Sequence, residues 1–303
     1  MPVAPRPNFF LVGSMKSGTT SLHRYLLSHP QIFMTSDPKE PTYFLEREQL
    51  LDVLPGVEKR GFWRSETAYL DLFNEADQQL VIGEASANYA RLNRVPGVPE
   101  RVAAFSPDAR ILFVARDPIE RTISHYWYMV QHFEERRDML TAIRDEADYT
   151  DTSYYAMQLK AWLHCFPAEQ VKLITTEALS VRPAETMAEV FRWLAVDETF
   201  SPANLADRAN ETPDVVQQVR GRGWVHGFRH SPIWNALGPL VPAALRGTAR
   251  RLSERSVVRK TADRGLIERY LRDRQRRETE ELSALLGRSF SEWTTLKGNA
   301  SSA

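Results

Sequence analysis

The chain has 303 residues, 43% of them apolar, and its 39 Lys and Arg balance 39 Asp and Glu. That composition fits a globular protein with one sizeable core and excludes a disordered, collagenous or low-complexity chain. The single cysteine, Cys165, excludes an internal disulfide framework, and no apolar run reaches the roughly 20 residues that span a bilayer.

No cationic stretch leads into an apolar core at the N-terminus, so a cytoplasmic location is expected. Cys165, between Leu163 and Phe166, reads as a buried structural thiol. Charge is uneven along the chain: Arg220 to Arg277 holds 15 Lys or Arg against the four acids Glu254, Asp263, Glu268 and Asp273. Most of these arginines read as a solvated helical surface, with a few able to reach an anionic ligand. No nucleic-acid partner is expected.

In chain order, β-rich apolar runs fall at Phe9–Val12, Gln31–Met34, Leu80–Ile82, Ile111–Ala115 and Val171–Thr175. Helical patterns separate them. One runs from Thr20 to Ser28 and stops before Pro30; others cover Ser153 to Phe166 and Pro183 to Leu194, the last with proline in its first turn. This alternation predicts an α/β fold, a parallel sheet flanked by helices, and the glycine loop at Gly13–Gly18 makes the expected fold P-loop NTPase-like. Residues 1–200 form the predicted core. Beyond Ser201 the strand signal fades, prolines punctuate the chain, and Gly265 to Leu286 reads as an amphipathic helix. Residues 201–303 are therefore read as a loop and helical cap on a single domain.

The most telling stretch is Phe9-Phe10-Leu11-Val12-Gly13-Ser14-Met15-Lys16-Ser17-Gly18-Thr19-Thr20-Ser21, an apolar strand that breaks into a small-residue loop before a helix. Gly13 and Gly18 have Walker A spacing, but Thr19 stands where a nucleotide triphosphatase carries its lysine, and the lysine sits inside the loop as Lys16. Backbone N–H groups and the helix dipole still favour an anion there. A second candidate site follows Ile111–Ala115. Arg116 stands at the mouth of a helix with Asp117 as N-cap, Pro118 in the first turn and Glu120 three residues on, and Ser124 lies about two turns in. Arg116 and Ser124 suit a phosphate; an ion pair with a neighbouring acid and a solvent-facing serine are the plainer alternatives.

Taken together, the segments Gly13–Ser21 and Arg116–Ser124 resemble the two nucleotide-binding signatures of the sulfotransferase family, which uses 3′-phosphoadenosine-5′-phosphosulfate (PAPS). The segment Asp37-Pro38-Lys39-Glu40-Pro41-Thr42-Tyr43-Phe44 is similar to the Lys-Glu segment of the heparan-sulfate-type branch and its bacterial relatives. The stretch Leu285–Trp293 is similar to the closing motif of that branch. The resemblance implies that Lys16, Ser17, Gly18, Thr19, Thr20 and Ser21 grip the 5′-phosphosulfate and that Arg116 and Ser124 grip the 3′-phosphate. It further implies that Arg259 and Lys260 close over that phosphate, that Lys39 sits near the sulfuryl group, and that Glu40 is the general base. Lys16 would meet the charge growing on the bridging oxygen. No metal is expected.

Histidine serves as base in the cytosolic branch, but His23, His29, His125 and His132 match no motif position and suit core or helix-surface roles. Within Glu84-Ala85-Ser86-Ala87-Asn88-Tyr89, Ala85 stands where polysaccharide sulfotransferases carry a substrate-side lysine. That departure leaves a neutral sugar, a lipid or a small-molecule hydroxyl as acceptor. Two other readings stand beside this one: an ATP-dependent kinase or hydrolase, and a non-catalytic nucleotide-binding protein of the same fold.

Overall fold

Five apolar runs become the strands of one parallel sheet in the computed structural model, which describes residues 5–49, 65–133, 135–203, 205, 215–219, 254–258 and 264–297. The strands are β1 (Phe9–Gly13), β2 (Ile32–Met34), β3 (Val81–Ala85), β4 (Arg110–Ala115) and β5 (Val171–Thr175), in the spatial order β2-β3-β1-β4-β5. Four match a predicted run to within a residue, and β3 runs three residues past the expected end at Ile82, through Gly83 and Glu84 to Ala85. The two central strands, β1 and β4, are buried along almost their whole length, which a parallel sheet achieves only with helices on both faces.

Alternation along the central strands sends side chains to two separate cores. Phe10, Val12, Ile111, Phe113 and Ala115 face one layer, and Phe9, Leu11, Leu112 and Val114 face the other. The second layer is closed by α1 (Thr19–Leu27), through Leu22 and Leu26, and by a helix at Pro183–Leu194, through Met187, Val190 and Phe191. The first is closed by α2 (Glu66–Leu70), α3 (Val98–Phe105), α4 (Pro118–His132), α5 (Met139–Asp145) and α6 (Tyr155–Cys165). Next in the chain come α7 (Thr176–Val181), α8 (Pro183–Leu194) and α9 (Arg264–Leu286). Helix α9 buries Ile267, Leu271 and Leu282 in the first core, and Lys160 of α6 pairs with Glu281 at its far end. Removing one large core side chain, as in Phe10→Ala, is expected to cost about 3–5 kcal/mol.

Three details differ from the sequence reading. Val215–Val219 pairs antiparallel with Glu254–Val258, a two-stranded ribbon in a region where the strand signal fades. Its first run, Val-Val-Gln-Gln-Val, has no strict alternation to mark it. Cys165 is half-buried at the last residue of α6, and it is Phe166 beside it that enters the core, stacked on Trp162. Glu120 does not complete a capping box on α4: the Asp117 N–H donates instead to Glu177 of α7, at 2.9 Å. Among the described residues no helix is long and apolar enough to cross a membrane.

Candidate active site

The site is built where β1 and β4 end side by side. At Gly13 the backbone has φ +142, and a Cβ there would lie 2.6 Å from the Ala90 Cβ and 3.0 Å from the Ala87 carbonyl, so only glycine lets the chain leave the strand here. The loop is then tied to the neighbouring strand by Ser14 N–H, which donates to the Val114 carbonyl at 2.7 Å. Gly18, at φ +87, is the N-cap of α1 and offers no side chain to its first turn, which carries no acidic residue either. A helix start with no capping oxygen and no acid directs its dipole and orphan N–H groups at whatever enters the loop. That is a cradle for an anion.

Cationic side chains converge on it. Arg116 donates from its guanidinium to the Lys16 carbonyl at 3.4 Å, so the two sequence-predicted phosphate sites meet. Lys16 lies over the Tyr128 ring, 4.8 Å from its centroid. Burial pushes the Lys16 ammonium below its usual pKa, and the charges of Arg116 and Arg121 push the same way. Lys39 reaches from the other side, its Nζ 3.4 Å from the Thr20 hydroxyl and 3.1 Å from the Glu40 carboxylate. Glu120, Ser124 and Tyr128 follow at intervals of four along one face of α4, which sets buried Ser124 between the Arg116–Glu120 contact and the Lys16–Tyr128 contact. Lys16, Ser17, Gly18, Thr19, Thr20, Ser21, Lys39, Glu40, Arg116 and Ser124 thus belong to one end of the sheet. Arg259 and Lys260 lie outside the described residues.

Arg116 is held from several directions. Its guanidinium pairs with Glu120 at 3.6 Å, the ion pair weighed as its plainer role, while also reaching the phosphate loop. Arg264, the first residue of α9, pairs with the other oxygen of Glu120. The Tyr155 hydroxyl donates to the Arg116 carbonyl at 2.9 Å, which gives this tyrosine a definite task beside its packing. Burial pushes the Tyr155 phenol up to about 12, so it remains a donor at neutral pH.

Several site residues carry no readable sequence signal. Arg121 is fully buried behind the loop, with its Nε 2.5 Å from the Ser153 hydroxyl and further bonds to the Tyr149 carbonyl and His125. Burial lowers its pKa to about 10, which leaves the guanidinium charged. Glu84, at the end of β3, is fully buried among hydroxyls below the Lys39–Glu40 segment. The histidines have structural partners. His23 bonds the Thr35 carbonyl, His29 bonds the Asp197 carbonyl, His125 sits between Arg121 and Asp148, and His132 lies 4.6 Å from the Tyr128 ring. Burial first, then the Arg121 charge, holds His125 well below its ordinary pKa and therefore neutral.

Comparison with known proteins bears on the same features. A family model described as "Sulfotransferase family" matches residues 7–201. Human bifunctional heparan sulfate N-deacetylase/N-sulfotransferase 3 is 27% identical over 206 residues, which are 63% of this chain and 22% of that protein. Mouse heparan sulfate glucosamine 3-O-sulfotransferase 3A1 is 25% identical over 232 residues, 73% of this chain and 53% of that protein. The chain therefore spans about a fifth to about half the length of these curated relatives. Among solved structures, a sulfotransferase from Alicyclobacillus acidocaldarius aligns with a TM-score of 0.66 at 27% identity, over 95% of this chain and 99% of that one.

Proposed function

Since the chain belongs to the sulfotransferase family, we propose that it transfers a sulfuryl group from PAPS to an acceptor hydroxyl, with Glu40 as the general base. One observation carries this reading: an uncapped helix start is approached by Lys16, Arg116 and Lys39, and Lys39 also holds Glu40 at its rim. When bound, the donor supplies a sulfuryl group whose bond to the bridging oxygen breaks as the acceptor oxygen attacks in line.

The residues divide the work by position. The α1 N-terminus, with Ser17, Gly18, Thr19, Thr20 and Ser21, holds the 5′-phosphosulfate through backbone N–H groups and short hydroxyls. Arg116 and Ser124 hold the 3′-phosphate, and Arg259 and Lys260 close over it. Lys16 neutralises charge arriving on the bridging oxygen, a role that no metal need share in this reading. Glu40 takes the acceptor proton as the new O–S bond forms, a contribution of about 10²–10⁴-fold. Lys39 ties that base to Thr20 and so sets its distance from the phosphate loop.

The acceptor is a sugar, lipid or small-molecule hydroxyl. Buried Ala85 places no cation where a polyanionic glycan would need one. The reading is tested with ³⁵S-labelled PAPS and a panel of neutral sugars, lipids and phenols. Transfer of label to at least one of them by the wild type, lost about 10²–10⁴-fold in Glu40→Gln with bisphosphate binding intact, is the expected result. Transfer at the wild-type rate by Glu40→Gln would remove the base from this mechanism.

A further inference from the structure

We propose that Glu84, acting as a carboxylate, is a positioning residue for Glu40: through Ser86 and Tyr89 it pins the backbone at Thr42 and Phe44, and its protonation loosens the pin. The consequence for Glu40 rests on the reading of that residue as the base.

Glu84 accepts three hydroxyl hydrogen bonds: from Tyr69 at 2.8 Å and Tyr89 at 3.0 Å on one oxygen, and from Ser86 at 2.6 Å on the other. A hydroxyl has a single proton to give. With the Ser86 and Tyr89 protons directed at the carboxylate, their oxygens face outward as acceptors. The Thr42 N–H donates to the Ser86 hydroxyl at 3.0 Å and the Phe44 N–H to the Tyr89 hydroxyl at 3.2 Å. The carboxylate thus fixes the sense of two relays, and both end on the segment that follows Glu40.

That segment needs holding. Thr42 sits at φ +56, in the left-handed region that a β-branched residue seldom adopts, and its hydroxyl donates to the Pro41 carbonyl at 2.6 Å. Such a conformation persists only where its surroundings over-determine it, and the Ser86 relay is one of those constraints. Phe44 is buried against Tyr69 and Tyr89, the two phenols that also face Glu84.

A protonated Glu84 reverses one of these bonds. The acid then donates, and the hydroxyl proton it displaces must find another acceptor in a buried pocket, in competition with the Thr42 or Phe44 N–H. Groups facing Glu84 are Tyr69 from α2, Ser86 and Tyr89 from the turn after β3, and Glu40 from the loop above, whose charge disfavours ionisation. Lys39 is engaged with Glu40. Burial, opposed by the three hydroxyls, brings the Glu84 pKa up to about 7, while both tyrosines are pushed well above their usual value and stay protonated. The relay therefore changes state near neutral pH.

The test is amide hydrogen exchange on the full chain between pH 5.5 and 8.5, corrected for intrinsic rates, for wild type, Glu84→Gln and Ser86→Ala. Gln is the isostere of the protonated acid. In the wild type, protection at Thr42 and Phe44 is expected to fall at least tenfold as pH drops through about 7, with no fall at Ile111–Ala115, where exchange follows global unfolding. Glu84→Gln should show the low value at every pH, and Ser86→Ala should lose protection at Thr42 while keeping it at Phe44. Protection that ignores pH in the wild type, or is unaltered in Glu84→Gln, overturns the proposal. Should Glu84→Gln fail to fold, the wild-type series and Ser86→Ala decide alone. Calorimetry with adenosine 3′,5′-bisphosphate on the same samples separates the two readings: absence of binding in the wild type removes the donor assignment and leaves the exchange result standing.

Discussion

Thr295 closes both of its donors on Asp117: its hydroxyl lies 2.6 Å from one carboxylate oxygen and its N–H 3.1 Å from the other. Asp117 is also the N-cap of α4, accepting from the Ile119 and Glu120 N–H groups, and it directly follows Arg116. Alongside, Glu177 accepts from the Asp117 N–H at 2.9 Å and from the Trp293 indole at 3.2 Å. The C-terminal turn thereby fixes the start of the helix that presents Arg116.

Thr295→Val removes a hydroxyl bond to a buried carboxylate and keeps the shape of the side chain. A loss of about 1.5–3 kcal/mol is expected, read by urea unfolding. Bisphosphate affinity should weaken several-fold through Arg116, and an affinity equal to wild type would show that the C-terminal turn does not position that arginine.

Lys16 carries a depressed pKa because it is buried and faces Arg116 and Arg121. An anion bound beside it reverses that bias, so binding adenosine 3′,5′-bisphosphate near pH 9, where its phosphates are fully ionised, should draw a proton onto Lys16. Calorimetry in two buffers of different ionisation enthalpy measures the uptake. It should be positive in the wild type and absent in Lys16→Met.

Glu84 sets a pH dependence of opposite sense to that of an ordinary paired carboxylate. Its folded pKa of about 7 lies above the model-compound value of 4.5, so below 4.5 both states hold the proton, and between the two values only the folded state does. Its stabilising contribution is complete below pH 4.5 and is lost as pH rises through about 7, a change on the order of 3 kcal/mol. In Glu84→Gln this slope disappears. The unfolding free energy of the variant relative to wild type should therefore be higher at pH 8 than at pH 5, and an equal difference at both would contradict the assignment. The ionised acid that orders the Glu40 segment is held at the expense of global stability.

The sheet was legible because each of its strands is a short apolar run bounded by turn or helix signals. The capped start of α4 was legible because Asp117 and Pro118 act within their own turn. What escaped depends on distant partners. Glu120 has the spacing of a capping-box acid, yet Glu177 takes its place from 60 residues away, leaving Glu120 for Arg116 and Arg264. Arg121 and Glu84 look like ordinary charged residues until the fold buries them. Within Glu84–Tyr89 the sequence displays only the missing lysine at Ala85, because the two relays run to Thr42 and Phe44, more than 40 residues earlier in the chain. The ribbon of Val215–Val219 with Glu254–Val258 has no alternation to announce it.

Calorimetric titration with adenosine 3′,5′-bisphosphate, and separately with ATP and magnesium, on the wild type and Arg116→Ala is the most direct test of the donor assignment. The account predicts tight bisphosphate binding that falls at least tenfold in Arg116→Ala, with little affinity for ATP in either protein. Preference for ATP, or bisphosphate binding indifferent to Arg116, would contradict it.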